Sequence, residues 1–136
     1  MQVSWSNKVE ESLEKKKGQS LSLIEDQIKL TLEMLAERVL TDLKKDIRQK
    51  YEQLITDLVH QREVTRQLIN ERVTSASEFV WLYHMRFYWR PKEKDSLQKL
   101  NIQMANGHFY YGFEYLGVGE KLVQTPLTDR CYLTLT

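Results

Sequence analysis

The sequence is short of the residues that most often announce chemistry. It has one cysteine, Cys131, in 136 residues, so no intramolecular disulfide can form, and a reducing compartment suits it. It has three histidines, His60, His84 and His108, each 24 residues from the next, and with one cysteine these give no metal-ligand spacing. No stretch approaches the ~18 consecutive apolar residues of a membrane span, and the N-terminus has no signal-peptide core. Charge of one sign is also missing. Twenty Lys+Arg against nineteen Asp+Glu leave a net +1, which argues against a dedicated nucleic-acid binder. No G-x-x-x-x-G-K-[ST], G-x-G-x-x-G or G-x-S-x-G occurs, and the glycines at 112, 117 and 119 are too sparse to cradle a phosphate.

What remains divides unevenly along the chain. Residues 1–72 carry 13 basic and 13 acidic side chains but only two aromatics, Trp5 and Tyr51. Residues 73–136 hold the other 12 aromatics, both prolines and four of the five glycines. The first part therefore reads as helix and the second as something more folded back on itself.

Between Gly18 and Pro91 there is no glycine or proline. Asn7 to Glu10 reads as a capping box for a short helix closed by Lys15-Lys16-Lys17-Gly18, and Ser22 to Glu25 offers a second start. From Ile24 an apolar stripe runs through Ile28, Leu32, Leu35, Val39, Leu43, Ile47, Tyr51 and Leu54 to Leu58. That is 34 residues in nine steps, about 3.8 per step, which is helical. A coiled-coil seam needs 3.5, so the stripe fits a helix packed on its own domain. Continued to Arg72 it would make a strut of roughly 75 Å, unless broken near Thr41 or Thr56.

Ser75 and Glu78 suggest a third capping box, before a shorter helix with Phe79, Leu82, Tyr83 and Arg86-Phe87 on one face. Phe87-Tyr88-Trp89 is strand-like, and Pro91 ends it. Asn106-Gly107 predicts a two-residue hairpin turn with positive φ at both positions. Folding there sets Ala105 opposite His108, Met104 opposite Phe109, Ile102 opposite Tyr111 and Leu100 opposite Phe113. Gln103/Tyr110, Asn101/Gly112 and Lys99/Glu114 fall on the other face. Gly117-Val118-Gly119 is a turn and Lys121 to Gln124 a short extended piece. Thr125-Pro126 caps a last helix, which has no C-cap by Thr136 and reads as cut short. The expected fold is α+β, mainly α: long antiparallel helices, then a small antiparallel sheet or hairpin, then that truncated helix.

Individual side chains read blandly. His60 is expected to face solvent on the long helix, His108 to sit on the hairpin surface, and Cys131 to be a small buried hydrophobe. Carboxylate pairs such as Glu25/Asp26 read as solvated helix faces, not acid–base machinery. The aromatic runs 87–89 and 109–111 have only Arg86, Arg90, Lys92 and Lys94 near them, too thin for base stacking along a nucleic acid. No catalytic residue and no metal ligand stands out.

The run Asn101 to Gly117, with Phe109-Tyr110-Tyr111-Gly112-Phe113-Glu114-Tyr115-Leu116-Gly117, and the run Lys121-Leu122-Val123-Gln124-Thr125-Pro126-Leu127-Thr128-Asp129-Arg130-Cys131-Tyr132-Leu133-Thr134-Leu135-Thr136 resemble dynein heavy chains. Asp57-Leu58-Val59-His60-Gln61-Arg62 and Met85-Arg86-Phe87-Tyr88-Trp89 extend the likeness, which is strong over residues 50–136 and limited to helical character before that. Gln103-Met104-Ala105-Asn106 and Leu122-Val123-Gln124-Thr125-Pro126 look more like the cytoplasmic than the axonemal heavy chains.

The resemblance implies three parts: a helical strut of the linker (1–72), the aromatic-rich end of the linker (73–118), and the start of the first AAA+ module (119–136), ending before its phosphate-binding loop. It implies a role in passing ATP-driven movement through a minus-end-directed microtubule motor in the cytoplasm and on the cytoskeleton. By resemblance, Leu122, Val123, Pro126, Leu127 and Thr128 line the adenine of that module. ATP or ADP with Mg2+ belongs to the parent motor, and no cofactor is expected in this segment alone. The implied partners are the rest of the heavy chain with its AAA+ ring and, through it, microtubules and dynein subunits, with neither nucleic acid nor membrane. ATP hydrolysis by this chain alone is not expected. The alternative is a helical scaffold or adaptor with a small sheet appended.

Overall fold

The computed structural model describes residues 1–14, 18–115, 117, 119 and 122–136. Three helices come first: α1 (Gln2–Glu14), α2 (Gly18–Val39) and α3 (Lys45–Asn70). The apolar stripe is one pattern spread over two elements. The chain breaks after Val39, Thr41 Oγ1 donates to the Arg38 carbonyl at 2.7 Å, and α3 packs back along α2. This is the break expected near Thr41, and it replaces the single strut with a helical hairpin about half as long. Its 26-residue arm, α3, spans roughly 39 Å at 1.5 Å per residue.

Burial along the hairpin is graded. Leu21, Ile24, Ile28, Leu58, Val64 and Leu68 are buried. Leu32 and Leu35 are half-covered, and Met34, Leu40, Ile47 and Leu54 stand exposed near the bend. The core therefore sits at the open end of the hairpin, where α1 and the later elements close over it.

Helix α1 begins at Gln2, ahead of the expected start at Asn7, and α2 at Gly18, ahead of Ser22. The expected lysine-rich close at 15–17 lies outside the described residues. Trp5 explains the early start of α1. Its side chain is buried, its ring meets Trp81 edge-on at 5.5 Å, and its Nε1 donates to Thr65 Oγ1 at 3.2 Å. Gln61 Nε2 also donates to Gln2 Oε1 at 2.8 Å. Tertiary burial outweighs a local cap here.

Glu78 provides half of the expected third capping box: its Oε1 accepts from the backbone N–H of Thr74 (2.7 Å) and of Ser75 (2.9 Å). The helix that follows, α4 (Phe79–Leu82), is one turn only. Arg86 and Phe87, expected on it, instead open β1 (Arg86–Trp89). A 3-10 turn (Ser96–Gln98), begun by Asp95 accepting from Leu97 N–H at 3.0 Å, leads to β2 (Leu100–Met104) and β3 (Gly107–Tyr110). The sheet is antiparallel throughout, in the order β1-β2-β3.

The hairpin register differs from expectation by two residues. Met104 pairs with Gly107, Gln103 with His108, Ile102 with Phe109 and Asn101 with Tyr110, so the turn is Ala105-Asn106 and Gly107 is already strand. Ala105, at φ 48°, takes the left-handed conformation that the sequence predicts for Asn106 and Gly107. Packing explains the shift. A Cβ on Gly107 would lie 3.0 Å from Phe109 Cε2, so the Phe109 ring occupies the space a side chain there would fill. Ala105 N–H is tied to the Leu82 carbonyl at 2.7 Å. Because the slip is two residues, every side chain keeps its face. Met104, Ile102 and Phe109 still share one face, with Phe87 and Trp89 of β1. The strand pairing of Leu100 with Phe113 and of Lys99 with Glu114 does not form, since β3 ends at Tyr110.

The opposite face carries Arg86, Tyr88, Asn101 and Gln103, and α1 packs on β1. Ser6 Oγ accepts from Phe87 N–H at 3.0 Å. Glu10 accepts from Trp81 Nε1 at 3.1 Å and from the Tyr88 hydroxyl, to which Arg86 Nη1 donates at 3.2 Å. Burial, then the bond to Glu10, pushes the Tyr88 phenol well above its ordinary value.

After the sheet, Gly117 has φ 75°; the turn expected at Gly117-Val118-Gly119 includes Val118, which lies outside the described residues. The final helix is α5 (Pro126–Leu135). No described helix is long and apolar enough to cross a membrane.

Candidate functional site

Helix α5 starts where the sequence places it. Thr125 is extended (φ −128°, ψ 164°), its hydroxyl accepts from Thr128 N–H at 3.3 Å, and its own N–H donates to Thr128 Oγ1 at 2.7 Å. Proline at the first helical position needs no N–H partner. This reciprocal cap fixes the angle between the 122–125 segment and the helix.

That angle sets α5 across from the middle of α3 and the end of α4, with a cleft of about 570 Å³ between them. Its walls include His60 and Gln67 from α3, Phe79 and Tyr83 around α4, and Pro126 and Leu133 from α5. Among the residues lining it is the carboxylate of Asp129. It is 4% exposed, one turn into α5, where a carboxylate also meets the positive end of the helix dipole. Gln124 Nε2 donates to Asp129 Oδ1 at 2.9 Å. Asp129 Oδ2 lies 3.7 Å from Nδ1 of His84, which is 2% exposed. The 3.7 Å separation is an ion-pair distance, too long for a hydrogen bond. Both His84 ring nitrogens are buried without a hydrogen-bond partner among the described residues.

The surroundings of Asp129 decide its charge. Burial pushes its carboxyl up. The adjoining His84, the bond from Gln124 and the positive charge available on His60 and His84 outweigh that and hold it below the ordinary carboxylate range. The His84 ring lies 4.0 Å from the Tyr83 ring and 6.4 Å from that of His60. Tyr83 donates to Gln67 Oε1 at 2.9 Å. Its phenol is pushed up, first by burial and then by the charges of Asp129 and Glu71, against the lowering bond to Gln67.

The residues expected to line an adenine fall on the outer side of this joint. Leu122, Val123 and Leu127 are 66%, 58% and 70% exposed. Pro126 borders the cleft, and Thr128 is half-buried with its hydroxyl engaged in the cap. The structure therefore brings together an uncovered apolar trio rather than a closed pocket. Nothing among the described residues groups three His, Cys, Asp or Glu as a metal site.

Two of the expectations for single side chains need correction. Cys131 is exposed on α5, because Asp129 and Leu133 turn inward and place it on the far side. His60 is half-buried on the cleft wall, not solvent-facing. His108 is exposed on the hairpin, as expected. The Asp129–His84 pair escaped the sequence reading. The two residues are far apart in the chain, and nothing local to either marks the other.

Residues 111–136 match the family model described as the hydrolytic ATP binding site of the dynein motor region. Over its full length the chain is 54% identical to a cytoplasmic dynein heavy chain of Paramecium tetraurelia, across 138 aligned residues. It is 51% identical to that of Dictyostelium discoideum across 142 residues, covering 99% of this chain. It is 41% identical to axonemal heavy chain 1 of Mus musculus across 135 residues. In each case the chain spans about 3% of the relative's length. The similarity reaches the helical first third, where the sequence alone offered only periodicity, and it displaces the scaffold alternative.

Proposed function

The chain belongs to the dynein heavy chain family, as a segment of its motor region, and from that premise we propose that it is the joint between the linker and the first AAA+ module. Residues 1–118 form the mechanical side, a helical hairpin braced by α1 and a small sheet. Residues 119–136 begin the ATPase side. The observation that carries this reading is the position of the ATP-site family match. It covers the segment that leaves Leu122, Val123 and Leu127 uncovered just before and within a tightly capped helix.

A flat, apolar base fits such a trio. Leu122, Val123 and Leu127, with Pro126 and the Thr128 backbone held by the cap, would make one wall for it. No phosphate-binding motif occurs in these 136 residues, so the phosphates and Mg2+ of a nucleotide must be met elsewhere in the motor. A nucleotide supplies the free energy of hydrolysis to the whole machine. This chain's own residues orient the base and carry the resulting movement toward the helices. The partners follow from that role: the rest of the heavy chain and its ring and, through it, the other dynein subunits and the cytoplasmic microtubule.

The test uses a heavy chain carrying this segment. Leu127→Asp should raise its Kd for ADP at least about tenfold, equivalent to ~1.4 kcal/mol. An exposed-side control, Thr134→Asp, should leave it unchanged. Unchanged ADP affinity in Leu127→Asp and in a parallel Val123→Asp variant would overturn the base-wall assignment.

A further inference from the structure

We infer that Asp129 is a positioning residue, a latch that fixes the 122–128 segment to the helical body through His84. A carboxylate this buried is costly unless compensated. Its two oxygens are divided between the two sides of the joint. Oδ1 holds Gln124, on the segment itself, at 2.9 Å. Oδ2 faces His84, at the end of α4, at 3.7 Å. His84 is held in turn by its ring contact with Tyr83, and Tyr83 by its bond to Gln67 on α3. A chain of contacts thus runs from Gln124 through Asp129, His84 and Tyr83 to α3.

The composition of this joint sets it apart from the rest of the fold. The α1–α3–α4 core is closed by Trp5, Val9, Leu68 and Trp81, whose separation would expose large apolar areas. Helix α5 contributes one wholly buried residue, and that residue is charged. A joint closed by a carboxylate and an imidazole opens by separating two polar groups that water can solvate. It can therefore release while the core stays closed. The same separation frees Gln124 and so the orientation of Leu122 and Val123 beside it.

The inference takes its functional meaning from the reading of 122–128 as a nucleotide-facing wall, but its test needs no nucleotide. A failure of ADP binding counts against that reading alone, and an unresponsive label counts against the latch alone. Cys131 is the only cysteine and is exposed on α5, so a nitroxide attached there reports the docking of the helix in the intact chain. The wild type should give the ordered spectrum of a label on the surface of a docked helix. Asp129→Ala and His84→Leu should each raise the mobile fraction several-fold with helical circular dichroism retained. His84→Gln should restore the ordered spectrum, because its amide keeps a polar donor facing Oδ2.

A merely space-filling His84 predicts no such order, with Leu tolerated as well as Gln, and that result overturns the latch. So does an unchanged spectrum in Asp129→Ala. Should either buried substitution unfold the chain, Gln124→Leu decides. Gln124 is half-buried, and the bond it loses is the one to Asp129, so an unchanged label in that variant also overturns the inference.

Discussion

Trp5 and Trp81 meet edge-on with ring centroids 5.5 Å apart, and each sends its indole N–H in a different direction, Trp5 to Thr65 and Trp81 to Glu10. The pair joins the first helix to the short turn before the sheet, and Trp81 is wholly buried. Trp81→Ala should cost about 3–5 kcal/mol in urea unfolding, by lost burial and the cavity left behind. Phe79→Ala, two residues away but exposed, should stay within about 0.5 kcal/mol. Equal losses at the two positions would mean the indole pair does not organise the core.

The hairpin turn makes a prediction opposite in place to the one its sequence invites. Ala105, at φ 48°, bears the left-handed strain, while Gly107 sits in strand under the Phe109 ring. Ala105→Gly relieves about 1–2 kcal/mol of left-handed strain against roughly 0.5–1 kcal/mol of glycine entropy, so a gain of about 0.5 kcal/mol is expected. Gly107→Ala places a Cβ 3.2 Å from the Met104 carbonyl as well as against the ring. Crowding of that kind should cost about 1–3 kcal/mol. Thermal melts of the two variants moving in the same direction would contradict this register.

Asp129 ties docking of the last helix to acid. Its carboxyl is held below the ordinary range by groups from three sides: His84 after α4, His60 on α3 and Gln124 on the preceding segment, with Arg130 and the Tyr83 phenol adjoining. A depressed carboxyl contributes stability that is present above its unfolded value, about 3.9, and is lost as pH falls through the lower folded value. Amide protection of residues 126–132 should therefore hold at neutral and mildly acidic pH and fall below about pH 4. In Asp129→Asn that acid step should vanish from this helix. Hydrogen exchange followed by mass spectrometry reads it, and an identical acid step in the variant would assign the loss to other carboxylates.

Much of this architecture is legible in the sequence where the signal is local. The Ile24–Leu58 stripe identifies helix, Thr125-Pro126 marks the start of α5 to the residue, and the alternation around Ile102 sorts the sheet faces correctly. What escapes is settled by contacts between distant segments. The stripe has the same period in one helix or in two that face each other, so only the short polar stretch at Thr41 hints at the bend. Asn106-Gly107 favours a turn at itself, but the Phe109 ring and the Ala105–Leu82 bond move it by one residue. Cys131 reads as buried because its neighbours are apolar. The inward face of α5 is instead chosen by Asp129, whose partner His84 no local pattern reveals. All but Thr128 of the predicted adenine-facing residues are apolar in a segment rich in apolar residues, so they stand out by family resemblance and not by composition.

The last expectation concerns movement. If this chain joins a mechanical element to an ATPase module, stiffness between Tyr115 and Thr125 matters more than affinity. This stretch lies between the sheet and the capped helix, and Gln53 Nε2 on α3 donates to its Gly119 carbonyl at 2.7 Å. A short Gly-Ser insertion after Leu116 lengthens it at little entropic cost, since loop closure grows only as the logarithm of length. Folding should therefore survive, and circular dichroism checks that it does. In a heavy chain carrying this segment, basal ATP turnover should remain largely intact, because the phosphate chemistry lies outside these residues. Microtubule gliding should slow, because a flexible insert extends under load before it transmits displacement. Normal gliding speed in a folded insertion variant would show that the stroke bypasses this joint. Loss of ATP turnover with gliding lost in proportion would instead place the joint inside the catalytic cycle itself.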